Sequence, residues 1–503
     1  MAPIRQRFHC LALCTAVLHA LGEKGFEYYA GNEGPWSSEF SVTIHHKGQS
    51  VQPHVYGINV PSDRQDGPEP ADRSTSWVEF AQPCEKSVST VEVTRKKAPF
   101  PSNVHIRPKR YGIQLRVSPD AHTVSFEVHG CGKHLSVHYG SVYASANSNK
   151  YSMDSSTHDA MLLFVSEPTP AVSHDALVIP PGEHYVGNGG VLNISCEVPS
   201  VFLQRGAYVY GKLSVQCKQR PTNVYGPGIL DGRYFRYHER KGDLWNETRM
   251  MLSFGGSAGG DVWGLTVVNP NFRLYDVIVS GSKMRMFRGL GWAANNGGGH
   301  FEANTSASNS FIRSTDDLIK VRDGDIATDN MVLWQSYNGG TFQLGWAGLH
   351  LVNITHRAAS VIENEWRAPD DWEKYDTRPN NAVVSLVDSK SADPAALVGP
   401  FVWQDLQIDG DVSHPLSLRL ENGVLGNVLF DGLTIAGNVT RFAFATATKG
   451  KATIANVTFR NFTIAGRLIS RLDDPAFHFL HAGGVLVNTF KFEPGLRDQT
   501  ILM

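Results

Sequence analysis

The sequence predicts an all-β protein in two parts, a β-sandwich followed by a β-helix, and three observations support this prediction. Stretches with helical periodicity are scarce, while the 503 residues include 48 glycines. Short runs of alternating apolar and polar residues recur roughly every ten residues in the first third of the chain. Near the C-terminus, two segments repeat each other at a fixed offset, which is typical of a solenoid.

The first part, residues 23–168, is predicted to be the β-sandwich. Residues 36–165 contain short runs such as FSVTIHH and TVSFEVH, separated by Gly, Pro and Asp. This spacing is typical of strands that pack as two sheets. A linker-like segment, SEPTPAVSHDA, follows at 166–176, and we place the domain boundary inside it.

The second part, residues 169–503, is predicted to be the solenoid. NVLFDGLTIAG at 427–437 and NVTFRNFTIAG at 456–466 agree at seven positions, with an offset of 29 residues. Their β-branched runs are too short for helices, so each repeat is expected to form one coil of a parallel β-helix. Asn at a fixed turn position can stack on Asn of the next coil. Repeated sandwich units would give the same periodicity and are the alternative.

Charge and composition exclude several classes of function. The formal net charge is −2 and the pI is near 6.9, without a Lys/Arg-rich block, so we expect no nucleic-acid partner. Beyond the N-terminus, no segment approaches the roughly 18 apolar residues that span a membrane, so we expect no membrane partner. No Cys-x-x-Cys pair occurs, and we predict neither a metal nor a cofactor.

The N-terminus has the residue order of a secretory signal, which we place at residues 1–22. Arg5 and Arg7 precede an apolar stretch from Phe8 to Leu21, and polar sequence follows. An interior hydrophobic segment is the alternative, and we favour the signal and hence an extracellular protein. Seven glycosylation sequons agree with export. They begin at Asn193, Asn246, Asn304, Asn353, Asn438, Asn456 and Asn461.

Four cysteines remain after the predicted signal, an even number that indicates disulfides in a secreted chain. Sequence spacing favours the pairs Cys84–Cys131 and Cys196–Cys217. Four cysteines allow three connectivities, and spacing alone leaves the other two open.

The segment RSTDDLIKV at 313–321 places Asp316 and Asp317 side by side in a strand-like run. Neighbours on a regular strand face opposite sides, so we expect a bulged corner that presents both carboxylates in an external cleft. A solvated turn, a cation site and an acid–base pair are the three interpretations. The oxygen-rich loop that hard cations need is absent, and RDGDIATDN at 322–330 is the nearest approach to one. Hydrolysis of a glycosidic bond requires two such carboxyl groups, and neighbouring carboxyls differ in pKa.

The surroundings of the pair favour a sugar ligand. Lys320 lies three residues after Asp317, where it can stabilise the ionised carboxylate. Trp292, Trp334 and Trp346 bracket the pair, and indole rings suit the apolar faces of pyranose rings.

These motifs resemble those of glycoside hydrolase family 49, which contains dextranases and isopullulanase. The resemblance rests on TDDLIKV, MVLWQS and FQLGW, with VYGPGILDGRYF at 225–236 and GLTVVNPNF at 264–272 in support. It implies a right-handed, pectin-lyase-like parallel β-helix joined to a sandwich, and inverting hydrolysis of an α-glucan such as dextran or pullulan. The His-Gly-His signature of pectin hydrolases is absent, which argues against a galacturonan.

The resemblance also assigns roles to individual residues. Asp316 would be the general acid, and Asp317 would activate the attacking water as the base. Inversion requires the two carboxyls to stand roughly 6.5–9.5 Å apart. The remaining positions would bind substrate; they are Lys320, Trp292, Asn296, Trp334, Gln343 and Trp346.

The chain departs from the family pattern one coil upstream. Where the family carries a third carboxylate, this sequence reads GWAANNGGGH, with Gly297 at the expected position. His300 or Glu302 could replace the missing base. We therefore keep four hypotheses: an α-glucan hydrolase with Asp317 as base, a hydrolase of another polysaccharide that uses His300 or Glu302, a catalytically silent carbohydrate-binding β-helix, and a polysaccharide lyase. We favour the first, acting as a monomer on a polysaccharide.

Overall fold

The computed structural model describes residues 25–31, 34–59, 74–139, 160–235, 250–291, 296–335, 339–345, 351–364, 382–387, 399–448, 451–483 and 490–494. In these ranges the regular structure is strand, apart from two single 3-10 turns, Lys109–Tyr111 and Asn188–Gly190. The all-β prediction is therefore confirmed. None of the described helical segments is long or apolar enough to cross a membrane. The signal predicted at residues 1–22 lies outside the described residues.

The first part of the chain forms two sheets around one apolar core. The first sheet has the order β1-β5-β11-β10-β7, with β4 also on β5, and the second has the order β3-β2-β6-β9-β8. Alternate residues of each strand enter the shared core, as the period-two pattern predicts. The strands are β1 (Glu27–Tyr28), β2 (Phe40–His46), β3 (Gln49–Val51), β4 (Tyr56–Asn59), β5 (Ser74–Ala81), β6 (Val88–Arg95), β7 (His105–Arg107), β8 (Arg116–Val117), β9 (Thr123–His129), β10 (Lys133–His138) and β11 (Ala160–Ser166).

The second part forms a parallel β-helix. The first half of this region contains β12 (Leu177–Ile179), β13 (Gly182–Tyr185), β14 (Val191–Ile194), β15 (Ser200–Leu203), β16 (Ala207–Tyr210), β17 (Lys212–Val215), β18 (Asn223–Tyr225), β19 (Ile229–Asp231), β20 (Met250–Ser253), β21 (Val262–Trp263), β22 (Thr266–Val268), β23 (Arg273–Tyr275), β24 (Val277–Ile278), β25 (Lys283–Arg285), β26 (Arg288–Leu290), β27 (His300–Phe301), β28 (Ser306–Ser314) and β29 (Ile319–Val321). The second half contains β30 (Ile326–Gln335), β31 (Phe342–Gly345), β32 (Ile354–Arg357), β33 (Ser360–Asn364), β34 (Val384–Val387), β35 (Phe401–Gln404), β36 (Gln407–Ile408), β37 (Leu416–Leu420), β38 (Gly423–Leu425), β39 (Val428–Asp431), β40 (Thr434–Ile435), β41 (Ala443–Ala447), β42 (Ala452–Ile454), β43 (Val457–Arg460), β44 (Thr463–Ile464), β45 (Arg467–Leu468), β46 (Phe479–Gly483) and β47 (Phe490–Glu493).

Each coil contributes strands to three faces. The first face runs through β12-β15-β18-β21-β25 and onward, and the second through β13-β16-β19-β22-β26. The long strands β28 and β30 pass through both of these faces. The third face begins as β14-β17-β20-β23 and continues as β24-β27-β29-β31-β34-β37-β41-β46. Inward side chains from all three faces fill one continuous apolar core.

The sequence repeat corresponds to two stacked coils. Val428 pairs with Val457 and Thr434 with Thr463, at the offset of 29 residues seen in the sequence. At the turn before them, Asn456 Nδ2 donates a hydrogen bond to Asn427 Oδ1 at 2.6 Å. Both asparagines have positive φ, which Asn tolerates better than most residues. The expected asparagine stack and the parallel β-helix are confirmed.

Both favoured disulfides are present, Cys84–Cys131 in the sandwich and Cys196–Cys217 at the start of the β-helix. Glu167 lies beside the first pair, and together the three form the group with metal-ligand geometry in the described part of the chain. Because the two cysteines are bonded to each other, they offer no thiolate to a metal.

The sandwich packs against the second face of the β-helix. Trp77 and Phe164 of the sandwich meet Phe311 and Trp334 in a buried apolar cluster. Ion pairs border it, and in one of them Arg107 of the sandwich contacts the Glu363 carboxylate on β33. The contact therefore covers the same coils that carry the aspartate pair.

Candidate active site

Asp316 and Asp317 lie at the corner where the second face turns into the third. Strand β28 ends at Ser314 and β29 begins at Ile319, so neither aspartate belongs to a regular strand. The backbone N–H of Asp316 donates to Asn296 O, at 2.8 Å, in the preceding coil. This cross-coil bond fixes the kink that the adjacent carboxylates predicted.

Asp317 is buried and paired with a lysine. Its side chain is 3% exposed, and its Oδ2 lies 2.6 Å from Lys320 Nζ. Its Oδ1 accepts a hydrogen bond from the backbone N–H of Gly340 at 2.9 Å. A buried carboxylate needs such partners to remain charged. Lys320 therefore has the stabilising position expected of it.

Asp316 is half-buried and has the properties of an acid. Burial and the neighbouring charge of Asp317 raise the pKa of Asp316 to about 6, although Lys320 and Arg273 act in the opposite direction. Its Oδ1 accepts a hydrogen bond from the backbone N–H of Asp317 at 2.9 Å. Two adjacent carboxyls thus have different environments, with Asp316 better able to keep a proton near neutral pH.

Gly297 occupies the coil directly upstream of Asp316. It pairs with Arg273 on one side, and Gly298 N–H donates to Asp317 O at 2.8 Å on the other. A Cβ on Gly297 would meet Asp317 O at 3.5 Å and Asp316 Cβ at 3.9 Å, which are ordinary contacts. A Cβ on Gly298 would lie 1.9 Å from a backbone oxygen. Of these two positions, only 297 has room for a side chain, and that side chain would stand beside Asp316.

Of the two candidate replacement bases, His300 has an environment that disfavours this role. His300 is buried, and Arg273 Nη1 lies 3.2 Å from its Nε2. Burial and the charges of Arg273, Arg322 and Lys320 place the pKa of His300 far below its ordinary range, so the ring resists taking up a proton. Glu302 follows His300 by two residues in the chain. Its Oε2 accepts a hydrogen bond from the backbone N–H of Ser280 at 3.3 Å.

Three charged residues near the pair were not found by the sequence reasoning: Arg273, Asp276 and Arg322. Burial raises the pKa of Asp276, while Arg273 acts against this rise. Arg322 Nε is buried and has no hydrogen-bond partner among the described residues. No local motif marks Arg273, which lies in the preceding coil and reaches the site through its pairing with Gly297. Arg322 follows Asp317 by five residues in the same coil.

Asn296 and Gln343 are both fully buried, and the structure gives each a backbone role. Asn296 Nδ2 donates to Pro270 O at 2.9 Å and to Phe272 O at 3.1 Å, in the coil before it. Gln343 stacks on Lys320 in the third face, and its Nε2 donates to Leu344 O at 2.8 Å. The amide nitrogen of Asn296 therefore links two coils, and the role of both amides in substrate binding stays a prediction.

The predicted sugar-binding role of Trp334 needs a correction. Trp334 is 1% exposed and lies against the sandwich, with its ring centroid 5.0 Å from that of His138. It therefore has no free face for a sugar ring, because the row of β30 that carries it faces the other domain. Trp292 and Trp346 lie outside the described residues.

The fold and the corner together define the class of protein: a β-sandwich joined to a parallel β-helix that carries paired carboxyls where two faces meet. No family model matches the sequence. Dextranases from Arthrobacter globiformis and from Arthrobacter sp. (strain CB-8) are each 24% identical over 340 residues, which cover 60% of this chain and 52% of the relative. This chain thus matches about half the length of these curated relatives.

Among solved structures, Dex49A from Penicillium minioluteum has the same fold. Its TM-score is 0.70 at 15% identity, and the match covers 95% of this chain and 100% of that one. The sequence similarity to two dextranases and the fold shared with Dex49A agree with the resemblance to glycoside hydrolase family 49. The predicted fold class, including the pectin-lyase-like β-helix, is confirmed.

Proposed function

We propose that the protein is an inverting glycoside hydrolase that cleaves an α-glucan such as dextran or pullulan. The single observation that carries this proposal is the unequal carboxyl pair: Asp317 is buried against Lys320 at 2.6 Å, while the pKa of Asp316 is raised to about 6. A carboxyl group that retains a proton near neutral pH, beside a second carboxyl group that contacts a lysine, is the combination that glycosidic cleavage requires. The relationship to dextranases supports the choice of an α-glucan.

In the proposed reaction, Asp316 donates its proton to the glycosidic oxygen as the bond from that oxygen to the anomeric carbon breaks. A water molecule attacks the anomeric carbon from the opposite face and passes a proton to Asp317. The products are two sugar chains, and the new reducing end has the β configuration. Lys320 positions the Asp317 carboxylate and lowers the cost of its charge.

A catalytically silent carbohydrate-binding β-helix is the second candidate, and two observations favour it. Both oxygens of Asp317 already have partners, in Lys320 and Gly340. Glycine stands at position 297, where a third carboxylate would lie beside Asp316. Loss of one positioned base costs about 10²–10⁴ in rate, so a chain without it retains binding more readily than turnover.

We further propose that residues 23–168 and 169–503 are the two domains of a secreted, monomeric glycoprotein that acts on its polysaccharide outside the cell. Two disulfides support an oxidising compartment.

The test is product release by the purified protein from a panel of dextran, pullulan and other α-glucans. Asp316→Asn removes the proposed acid and keeps its shape. Asp329→Asn is the matched control, because Asp329 is an exposed aspartate on β30. We expect cleavage of at least one glucan, a fall of about 10²–10⁴ in Asp316→Asn, and no change in Asp329→Asn. The anomeric configuration of the first product, followed by NMR, tests inversion.

Two results would overturn the hydrolase proposal. Cleavage unaffected by Asp316→Asn would remove Asp316 as the acid. Absence of cleavage, together with retained binding of one glucan, would favour the silent binding protein.

A further inference from the structure

A cluster of three tyrosines, two exposed and one buried, lies at the N-terminal end of the β-helix, outside the carboxylate corner. We call it the tyrosine patch and define it as Tyr185, Tyr210 and Tyr234. The rings of Tyr185 and Tyr210 stack with centroids 4.6 Å apart and an interplanar angle of 20°. Tyr234 lies 5.4 Å from Tyr210 and 6.2 Å from Tyr185. Tyr185 is 63% exposed and Tyr234 is 65% exposed, so two large aromatic rings face solvent side by side.

Polar contacts fix the patch in place. Glu183 accepts hydrogen bonds from both stacked tyrosines, at Oε2 from Tyr185 OH at 3.2 Å and at Oε1 from Tyr210 OH at 3.0 Å. Arg233 lies over the Tyr210 ring at 5.2 Å. That guanidinium is held in turn by Asp231, whose Oδ2 accepts from Arg233 Nε at 2.7 Å. Rings oriented in this way lose little conformational entropy when a ligand covers them.

The register of the second face connects the patch to the carboxylate corner. Successive strands pair Tyr185 with Tyr210, Tyr210 with Asp231, Asp231 with Val268, Val268 with Leu290, and Leu290 with Arg313. Asp316 follows Arg313 by three residues, and Tyr234 follows Asp231 by three residues, so both lie just past the same row of the second face. Tyr234 lies three strand spacings of about 4.8 Å from the corner and Tyr185 lies five, so the patch extends from roughly 14 to roughly 24 Å along the helix axis.

We propose that the tyrosine patch is a distal binding site for the same α-glucan chain whose cleavage we assign to the corner. This inference rests on the proposed function. Aromatic faces carry partial negative charge and stack on the C–H groups of a pyranose ring, which suits the exposed rings of Tyr185 and Tyr234. The buried Tyr210 ring supports them, since Tyr185 stacks on it. The Arg233 and Glu183 side chains offer hydrogen-bonding groups to sugar hydroxyls at its edge. A polysaccharide held at both places would lie along the β-helix, while a short oligosaccharide would reach only one of them.

The experiment compares long and short glucans. Tyr185→Ala with Tyr234→Ala removes both exposed rings, and Tyr185→Phe with Tyr234→Phe keeps the rings without the hydroxyls. Binding of polymeric dextran and of isomaltotriose is measured by calorimetry in the Asp316→Asn background, so that hydrolysis does not interfere. Thermal unfolding of each variant checks the fold.

We expect the alanine pair to bind polymer about tenfold more weakly and the phenylalanine pair to bind as the parent does, with trisaccharide binding at the corner unchanged in both. In the chain with Asp316 intact, the alanine pair should raise KM for polymer and leave hydrolysis of short substrates unaltered. Polymer binding that is equal in all variants would overturn the inference even if hydrolysis occurs. Patch-dependent binding without any hydrolysis would sustain the inference and overturn the proposed function.

Discussion

Replacement of Gly297 by Asp tests whether a third carboxylate at this position increases the rate of hydrolysis. A Cβ at this position meets no atom closer than 3.5 Å, and its backbone does not have the left-handed conformation that only glycine favours. The substitution should therefore change the free energy of unfolding by no more than about 1 kcal/mol. The new carboxylate would stand beside Asp316, whose Cβ is 3.9 Å from the new Cβ.

The expected gain follows from the value of one positioned base. Proton transfer by such a group contributes about 10²–10⁴ in rate, or some 3–5 kcal/mol of barrier. We expect Gly297→Asp to release product from dextran at least about 10²-fold faster than the unaltered chain. A third negative charge also raises the pKa of Asp316, so the activity should persist to higher pH.

The assay is the initial rate of reducing-end release, with two controls. Gly297→Asn has the shape of the aspartate without its charge and should show no gain. Gly298→Ala places a Cβ 1.9 Å from Leu318 O, so it should lose stability where Gly297→Ala does not. A folded Gly297→Asp variant that is no faster than Gly297→Asn would refute the reasoning that the site lacks a base at position 297.

Three further predictions concern pH, packing and the disulfide. Because the pKa of Asp316 is raised to about 6, kcat/KM should be highest below this pH and should fall as the pH rises through it. Lys320→Met removes a positive charge that lowers the pKa of Asp316, so kcat/KM of this variant should fall at a higher pH. Asn296→Ala leaves two buried carbonyls without their donor and should cost about 1–3 kcal/mol in urea unfolding. Replacing Cys196 and Cys217 by alanine opens a loop of 21 residues and should cost about 3 kcal/mol.

Each of these has an outcome that contradicts it. A pH profile that is flat between 5 and 8 would mean that Asp316 does not act as the acid. Equal stability of Asn296→Ala and the parent would show that water replaces its donors. Under reducing conditions, where both disulfides are open, the cysteine variant and the parent should have the same urea midpoint. A large difference there would point to damage other than loss of the bond.

Local sequence patterns predicted the structural features that are determined by residues close together in the chain. Period-two alternation marked β2, and the offset of 29 residues placed Val428 on Val457. The kink at Asp316 and Asp317 followed from alternation on a strand alone. Local pattern could not reveal which residues of neighbouring coils stack, because the offset between paired residues varies from 20, between His300 and Lys320, to 47, between Ile354 and Phe401.

That variation explains the residues that sequence reasoning missed or misplaced. Arg273 reaches the site only because it pairs with Gly297, across an offset that no motif displays. Trp334 looked like a ligand platform because it is aromatic and close to the pair in sequence. The side chain instead faces the sandwich, since the second face at that coil is an interface between domains. The amide nitrogen of Asn296 donates to two carbonyls of the neighbouring coil.

The apolar contact between sandwich and β-helix bears on the order in which the chain folds. Domains nearer the N-terminus fold first during synthesis, so Trp77 and Phe164 already form a finished surface when Phe311 and Trp334 leave the ribosome. A solenoid whose coils touch only their neighbours can begin to fold at any repeat. The sandwich instead gives Phe311 and Trp334 a defined surface to pack against. We therefore expect the sandwich to favour the correct register of the coils that hold Asp316.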